Sequence, residues 1–318
     1  MKSVRFWGTR GSLPVALTAP QIRERLVAAV RASREQSLRS DAEIEGFVDG
    51  LGFDVAGTFG GHTSCVQIDT GDACHVICDL GSGLRPLGQA AMAKHGLAPQ
   101  TYHVFLSHVH WDHIMGLPFF IPAYVPGNRI VIHGGHADIE AALRRQMEPP
   151  SFPVPFDAFN ATFEFEQLSP GVAHDVAGMS VTTLRQRHTG DSYGYRFEKN
   201  GRTIVYTTDS EHTLDNADEV HTFATFFANA DLVIFDAMYS LADAVSVKAD
   251  WGHSSNIFGL ELCQLANAAH LCLFHHEPAS SDAVIAKVLD DTRRLEAVTR
   301  TGRPLKVSAA YDGLEIAL

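Results

Sequence analysis

No apolar run in this 318-residue chain approaches the roughly 18 residues that would cross a membrane. The start, Met1-Lys2-Ser3-Val4-Arg5-Phe6-Trp7-Gly8, is basic but lacks the apolar stretch of a signal peptide, so a cytoplasmic chain with no membrane partner is expected. Positive charge is short: 25 Lys and Arg against 37 Asp and Glu leave a formal net charge of -12. Affinity for nucleic acid rests on neutralising phosphates, so no large nucleic acid is expected as a partner, and any phosphate recognition must be local. Cysteine is scarce and odd in number. Cys65, Cys74, Cys78, Cys263 and Cys272 show no zinc-ribbon spacing and read as small buried thiols of a reducing compartment. Repeats, low-complexity tracts and charge blocks are missing too. With 45% hydrophobic residues the chain can fill a large core, which excludes disorder.

Short β-branched or aromatic runs recur between turn residues: Val4 to Trp7, Cys65 to Asp69, Cys74 to Cys78, His103 to Leu106, Ile130 to His133, Val181 to Gln186, Tyr193 to Phe197, Thr203 to Tyr206, Leu232 to Phe235 and Leu271 to Phe274. Helical spacing marks Arg85 to His95, His136 to Met147, Ser254 to Ala269 and Ser281 to Thr301. The pattern predicts an α/β chain of two sheets with helices on their outer faces. A hairpin turning at Thr70-Gly71-Asp72-Ala73 would set Cys65 across from Cys78. Two amphipathic segments, Pro20 to Arg34 and Asp41 to Leu51, form a helical insertion at about 15–55, read as a packed decoration, a substrate lid or a dimer arm. The proline-stiffened stretch Glu148 to Phe156 is either a connection or an aromatic wall built from Phe152 and Phe156.

What is plentiful is histidine, 17 residues in all, and its grouping carries the chemistry. Ser107-His108-Val109-His110-Trp111-Asp112-His113 follows the apolar run His103 to Leu106 directly. On an extended loop, residues two apart project to one side, so His108 and His110 can share an ion. Asp112 and His113 begin a new turn and face a second position. Imidazole with carboxylate suits zinc, and also manganese or iron.

This HxHxDH motif after a buried strand resembles the signature of the metallo-β-lactamase superfamily. The likeness continues through Phe6-Trp7-Gly8-Thr9-Arg10-Gly11-Ser12, Gly60-Gly61-His62-Thr63-Ser64-Cys65 and Asp79-Leu80-Gly81-Ser82-Gly83. It resumes at His188, Tyr206-Thr207-Thr208-Asp209-Ser210, Ala230 to Ala237, Trp251-Gly252-His253-Ser254-Ser255 and Leu273-Phe274-His275-His276-Glu277-Pro278. These motifs are similar to those of the branch holding cyclic-phosphate phosphodiesterases and tRNA 3′-processing endonucleases. The resemblance implies a four-layer αββα sandwich over residues 1–318. It also implies two divalent metal ions, most simply Zn2+ with Mn2+ or Fe2+ as alternatives. One would be held by His108, His110 and His188, the other by Asp112, His113 and His275, with Asp209 bridging them. His276 competes with His275 for the last place. Asp79 would orient the metal-binding loop rather than bind.

Asp112, His253 and Asp236 are the candidate catalytic residues, His253 as general acid held by Asp236, with Ser254 capping the following helix. Three positions depart from the branch: His62 for asparagine, Asp236 for the glutamate of the RNA-processing members, and Ser210 for threonine. The expected activity is hydrolysis of a small anionic phosphodiester, a cyclic nucleotide, cyclic sugar phosphate or dinucleotide, by a hydroxide shared between the ions. Arg10, Arg85, Arg187 and Arg196 are candidate phosphate clamps. Lactone or thioester hydrolysis and a non-catalytic nucleotide sensor are the alternatives, and a homodimer is a possible assembly.

Overall fold

A computed structural model describes residues 1–212, 216–239 and 252–318, so Trp251 lies outside the described residues. Two seven-stranded sheets carry the fold. The first contains β1 (Ser3–Gly8), β2 (Cys65–Asp69), β3 (His75–Cys78), β4 (Thr101–Leu106), β5 (Arg129–Gly134) and β6 (Thr162–Gln167) in sequence order, with β14 (Glu315–Ala317) beside β1. The second runs β7 (Ala173–Val176), β8 (Met179–Gln186), β9 (Ser192–Lys199), β10 (Arg202–Thr207), β11 (Leu232–Asp236), β12 (His270–Phe274) and β13 (Lys306–Ala309). In each sheet four neighbouring strands are parallel, β3 to β6 and β10 to β13, and the rest pair antiparallel.

Period-two alternation sorts side chains into layers. On β11, Leu232 and Ile234 enter the core between the sheets, while Val233 and Phe235 face the helices 217–226 and 256–265. On β4, Phe105 points into the intersheet core, and Tyr102, Val104 and Leu106 face outward with Leu84 and Leu87 of the helix 84–95. The result is the expected four-layer αββα sandwich.

The hairpin register is offset by one from the expected one. Val66, not Cys65, sits opposite Cys78. Because one residue of shift changes the face, Cys78 lies in the intersheet core and Cys65 in the outer one. All five cysteines are free thiols. Phe156 is likewise buried in the outer core of the first sheet, edge-on to Phe159 and Phe163, so it cannot form a substrate wall. The predicted helix His136 to Met147 is shorter than expected, Ile139–Arg145. The one expected from Ser254 begins at Asn256 with Ser255 at its cap, while the Ser254 hydroxyl accepts from the His212 amide.

Between β1 and β2 the chain forms α1 (Ala19–Ala32) and α2 (Asp41–Asp49), the expected insertion. No helix among the described residues is long and apolar enough to cross a membrane.

Candidate metal centre

The parallel strands all end at one edge of the sandwich, and the connections leaving them build the site. Asp79 follows β3, His108 to His113 follow β4, His188 follows β8, Asp209 follows β10, Asp236 ends β11 and His275 follows β12. Asp79, Asp209 and His275 leave their strands with positive φ, near 60°, 50° and 59°. Each residue therefore turns the chain sharply at the strand end, where a following amide or side chain can point into the crevice.

Two clusters meet at Asp209. Its Oδ2 lies 3.6 Å from His108 Nε2 and 3.7 Å from His188 Nε2, and the latter lies 3.0 Å from His110 Nδ1. Its Oδ1 lies 3.1 Å from both His113 Nε2 and His275 Nε2, and Asp112 Oδ2 is 3.2 Å and 3.3 Å from the same two nitrogens. The two oxygens of one carboxylate thus face different groups of imidazoles. His276 does not join them, because its Nε2 is 2.9 Å from the Ala310 carbonyl oxygen, deep in the fold.

These atoms fit a pair of metal ions. For ligands at about 2.1 Å from a tetrahedral ion, neighbouring donor atoms stand about 3.4 Å apart, which is the spacing seen here. His108 Nε2 is buried without a hydrogen-bond partner among the described residues. Burial, followed by the proximity of His113, pushes the His108 ring well down, so it is neutral with a lone pair to offer. Burial works against the Asp209 carboxylate, yet His275, His113 and His108 outweigh it and hold the group well below the usual carboxylate range. Other ring nitrogens are spent on orientation. His113 Nδ1 donates to Asp79 at 2.7 Å, and His188 Nδ1 donates to the Gly252 carbonyl at 2.9 Å. Either bond fixes the tautomer that leaves Nε2 facing the centre.

Asp79 is fully buried and accepts four donors: the Ser107 amide and hydroxyl, His113 and the Tyr206 phenol. Asp236 accepts from His253 Nδ1 at 2.8 Å and from the Met238 amide at 3.1 Å. The His253 ring stands 5.3 Å from that of His188 and 5.2 Å from that of His275, at the rim of both clusters. Burial alone would push this ring down, but the Asp236 carboxylate overrides it and raises the group to about 9.

The candidate clamps divide. Arg10 is 3% exposed, and its guanidinium is used by the carbonyls of Gly60, Glu277 and Ser280 and by Asp282, so it ties loops together and cannot hold substrate. Arg196 donates to the carbonyls of Phe226 and Ala228 at a helix end. Arg187 is exposed beside His188 and pairs with Glu211 at 3.2 Å, and Arg85 is exposed. His62 clips its loop to the Ser82 hydroxyl at 3.1 Å.

Sequence reasoning missed several supports. The Ser12 amide donates to Asp112 Oδ2 at 2.8 Å, and a Cβ on Gly11 would stand 2.6 Å from the His275 ring. Glu211 accepts the Gly252 amide at 3.1 Å, behind His188. The glycines alone carried a signal, since close backbone approach to a site excludes a side chain.

The family described as beta-lactamase superfamily domain matches residues 75–276, which include every candidate ligand, His253 and Asp236. The chain belongs to this family, one of metal-dependent hydrolases. Ribonuclease Z of Haloarcula marismortui is 25% identical over 148 residues, spanning 44% of this chain and 43% of that protein. This chain thus spans less than half the length of the curated relatives it matches. Among solved structures, the metallo-beta-lactamase fold protein YhfI from Bacillus subtilis aligns with a TM-score of 0.65 at 19% identity, covering 100% of this chain and 99% of that one. A diphosphatase from the PhnP family aligns with a TM-score of 0.61 at 16% identity, covering 100% and 98%. At such identities the likeness shows the fold alone.

Proposed function

We propose that this member of the beta-lactamase superfamily hydrolyses a small phosphodiester at a two-metal centre, most simply zinc. The metals would be held by His108, His110 and His188 on one side, Asp112, His113 and His275 on the other, and Asp209 between. The observation that carries the reading is Asp209, whose two oxygens each face a separate ligand cluster. When bound, two such ions supply Lewis acidity at phosphoryl oxygens and a water activated near neutral pH.

The chain's own groups set the substrate charge. As metal ligands the five imidazoles would be neutral, so with two carboxylates a pair of divalent ions would keep net positive charge, which attracts a monoanionic diester. A dianionic monoester would be held too firmly to leave quickly. The net charge of -12 adds no broad surface for RNA, which favours a small substrate over a tRNA-sized one. Trp111, 78% exposed between His110 and Asp112, offers an indole face on which a base or other planar group can stack.

His253 acts as the general acid. Asp236 occupies its Nδ1, which leaves Nε2–H as the proton to give to the departing oxygen. The ring's place against both His188 and His275 puts that proton at the rim of the two clusters. Five free thiols favour a reducing compartment, the cytoplasm.

The test is elemental analysis followed by a screen of cyclic nucleotides, cyclic phosphates, dinucleotides, phosphomonoesters and lactones against zinc- and manganese-loaded protein. About two ions per chain are expected, with diesters cleaved faster than matching monoesters. Preferred turnover of a lactone would replace the reading with carboxyl-ester hydrolysis. Bound metal with no turnover of any compound would make the protein a sensor.

A further inference from the structure

The inserted arm is built as if something covers it. Residues 13–56 hold eight of the sixteen large hydrophobic side chains exposed among the described residues, although they make up only about one-seventh of the chain. On α1, Ile22, Leu26 and Val30 recur every fourth residue and form one stripe, with Leu26 62% and Val30 66% exposed. On α2, Ile44 and Val48 repeat the spacing and are also exposed. Neither helix buries a single residue. Helices of 14 and 9 residues are marginal in water on their own, so packing of an apolar face normally supplies their stability.

The arm is nonetheless fixed at its base. Arg25 donates to the Gly57 carbonyl and to the buried Asp282, which also receives Arg10 and the Phe59 amide. A fixed base with a bare apolar stripe presents a preformed surface rather than a loose tether.

Charge names the occupant. α1 carries Arg23, Arg25 and Arg31 against Glu24, whereas α2 carries Asp41, Glu43, Glu45 and Asp49 with no basic residue. Among the described residues no ion pair joins the two helices within one chain, since Arg25 is turned to Asp282 and Glu43 is spent on the N-terminus of α2. One arm therefore offers a basic apolar stripe on α1 and an acidic apolar stripe on α2. Their opposite charges are what reciprocal pairing of α1 with α2 about a two-fold axis, the symmetry of the commonest protein dimers, would use. We propose that the arm is a dimerisation element, in which α1 of one copy packs on α2 of a second copy and the reverse, burying Leu26, Val30, Ile44 and Val48 between opposite charges.

The test is the molar mass of the full metal-loaded chain by sedimentation equilibrium from micromolar to submillimolar concentration. A reversible dimer is expected, weakened by added salt because rim ion pairs are screened. Leu26→Glu with Val30→Glu should make the chain monomeric with metal content unchanged, and its melting temperature should no longer rise with protein concentration. Should that variant misfold, Glu45→Arg with Asp49→Arg changes only exposed positions and should raise the dimer dissociation constant about tenfold or more. Adding Arg23→Glu and Arg31→Glu to it should restore the dimer. A wild-type chain that stays monomeric, or a dimer indifferent to these changes, would overturn the proposal. So would a monomer that sediments with anionic phospholipid vesicles, which would give the face to lipid.

Discussion

The two halves of the candidate metal centre are built from the same residue types but differ in enclosure. Asp112, His113, Asp209 and His275 are all buried, whereas the other half includes His110, which is exposed; the His188 side chain is itself buried, at 4% exposure. Their supports differ in the same sense. His113 leans on Asp79, a buried carboxylate that also grips Ser107 and Tyr206. His188 leans on a backbone carbonyl at Gly252, whose amide is held in turn by Glu211 beside the exposed Arg187. A half closed to solvent with a charged support should hold its ion tightly, and the half that His110 opens to solvent, with an uncharged backbone support, should exchange it. On the two-ion proposal, enclosure would give anchoring to one half and access to the other.

Removing what the halves share should have the largest effect. Asp209→Ala takes an oxygen from each cluster and leaves five imidazoles and one carboxylate, so both ions should be lost and hydrolysis should fall below detection. Metal analysis checks this, and two ions retained with activity would end the bridging assignment. Next comes His253→Ala, which removes the proposed proton donor beside both halves and none of the proposed ligands. A positioned acid is worth about 10² to 10⁴ in rate. The loss should fall on diesters with alkyl or ribose leaving groups and largely spare p-nitrophenolate, with metal content unchanged. An equal loss on both substrates would make His253 a packing residue.

Asp79→Asn should then separate the halves. Asp79 sits at φ 60°, a conformation asparagine tolerates, so the backbone should stay in place. Four donors would face an amide that offers one acceptor oxygen and a donor of its own. Loss of such a support typically weakens metal affinity about 10- to 100-fold. The weakening should fall on the ion that His113 binds, read by competition with a chromogenic chelator. A uniform weakening of both ions would break the comparison.

The difference between the halves also explains what the sequence could disclose. His108, His110, Asp112 and His113 lie within six positions, so local geometry alone sorted them into two groups. Asp209, Asp236 and His275 come from the ends of adjacent parallel strands, and β10, β11 and β12 bring them together across 66 residues of chain. No spacing rule reaches that far; only the resemblance to known motifs did. Strand alternation already favoured His275 over His276, and the Ala310 contact accounts for His276 elsewhere, whereas the loss of Arg10 as a clamp needed its buried carbonyl partners. Strand β6 was missed although Phe163 and Phe165 alternate with Glu164 and Glu166 on it. Strands β7, β13 and β14 escaped because three or four residues at a sheet edge carry too short a period to read.

The smallest effect concerns the open half alone. Glu211 stands behind His188 through one intermediary: its Oε2 accepts the Gly252 amide, and the Gly252 carbonyl accepts His188 Nδ1. The segment has no slack, because Gly252 holds φ near 80° and a Cβ there would lie 2.2 Å from His188 Nδ1. Glu211→Gln keeps an acceptor for the amide but loses the ion pair to Arg187, whose side chain is 48% exposed. Half-exposed pairs contribute about 0–1 kcal/mol. The open half should therefore lose no more than a few-fold in metal affinity, and the closed half nothing. Glu211→Ala removes the acceptor as well and leaves a buried amide unpaired, at a cost of about 1–3 kcal/mol, so its effect on the same ion should exceed tenfold. A graded loss confined to the ion bound by His188 would show that the open half is tuned through the 252 backbone. Equal loss from both halves would mean that Glu211 supports the whole crevice, and enclosure would no longer explain the difference.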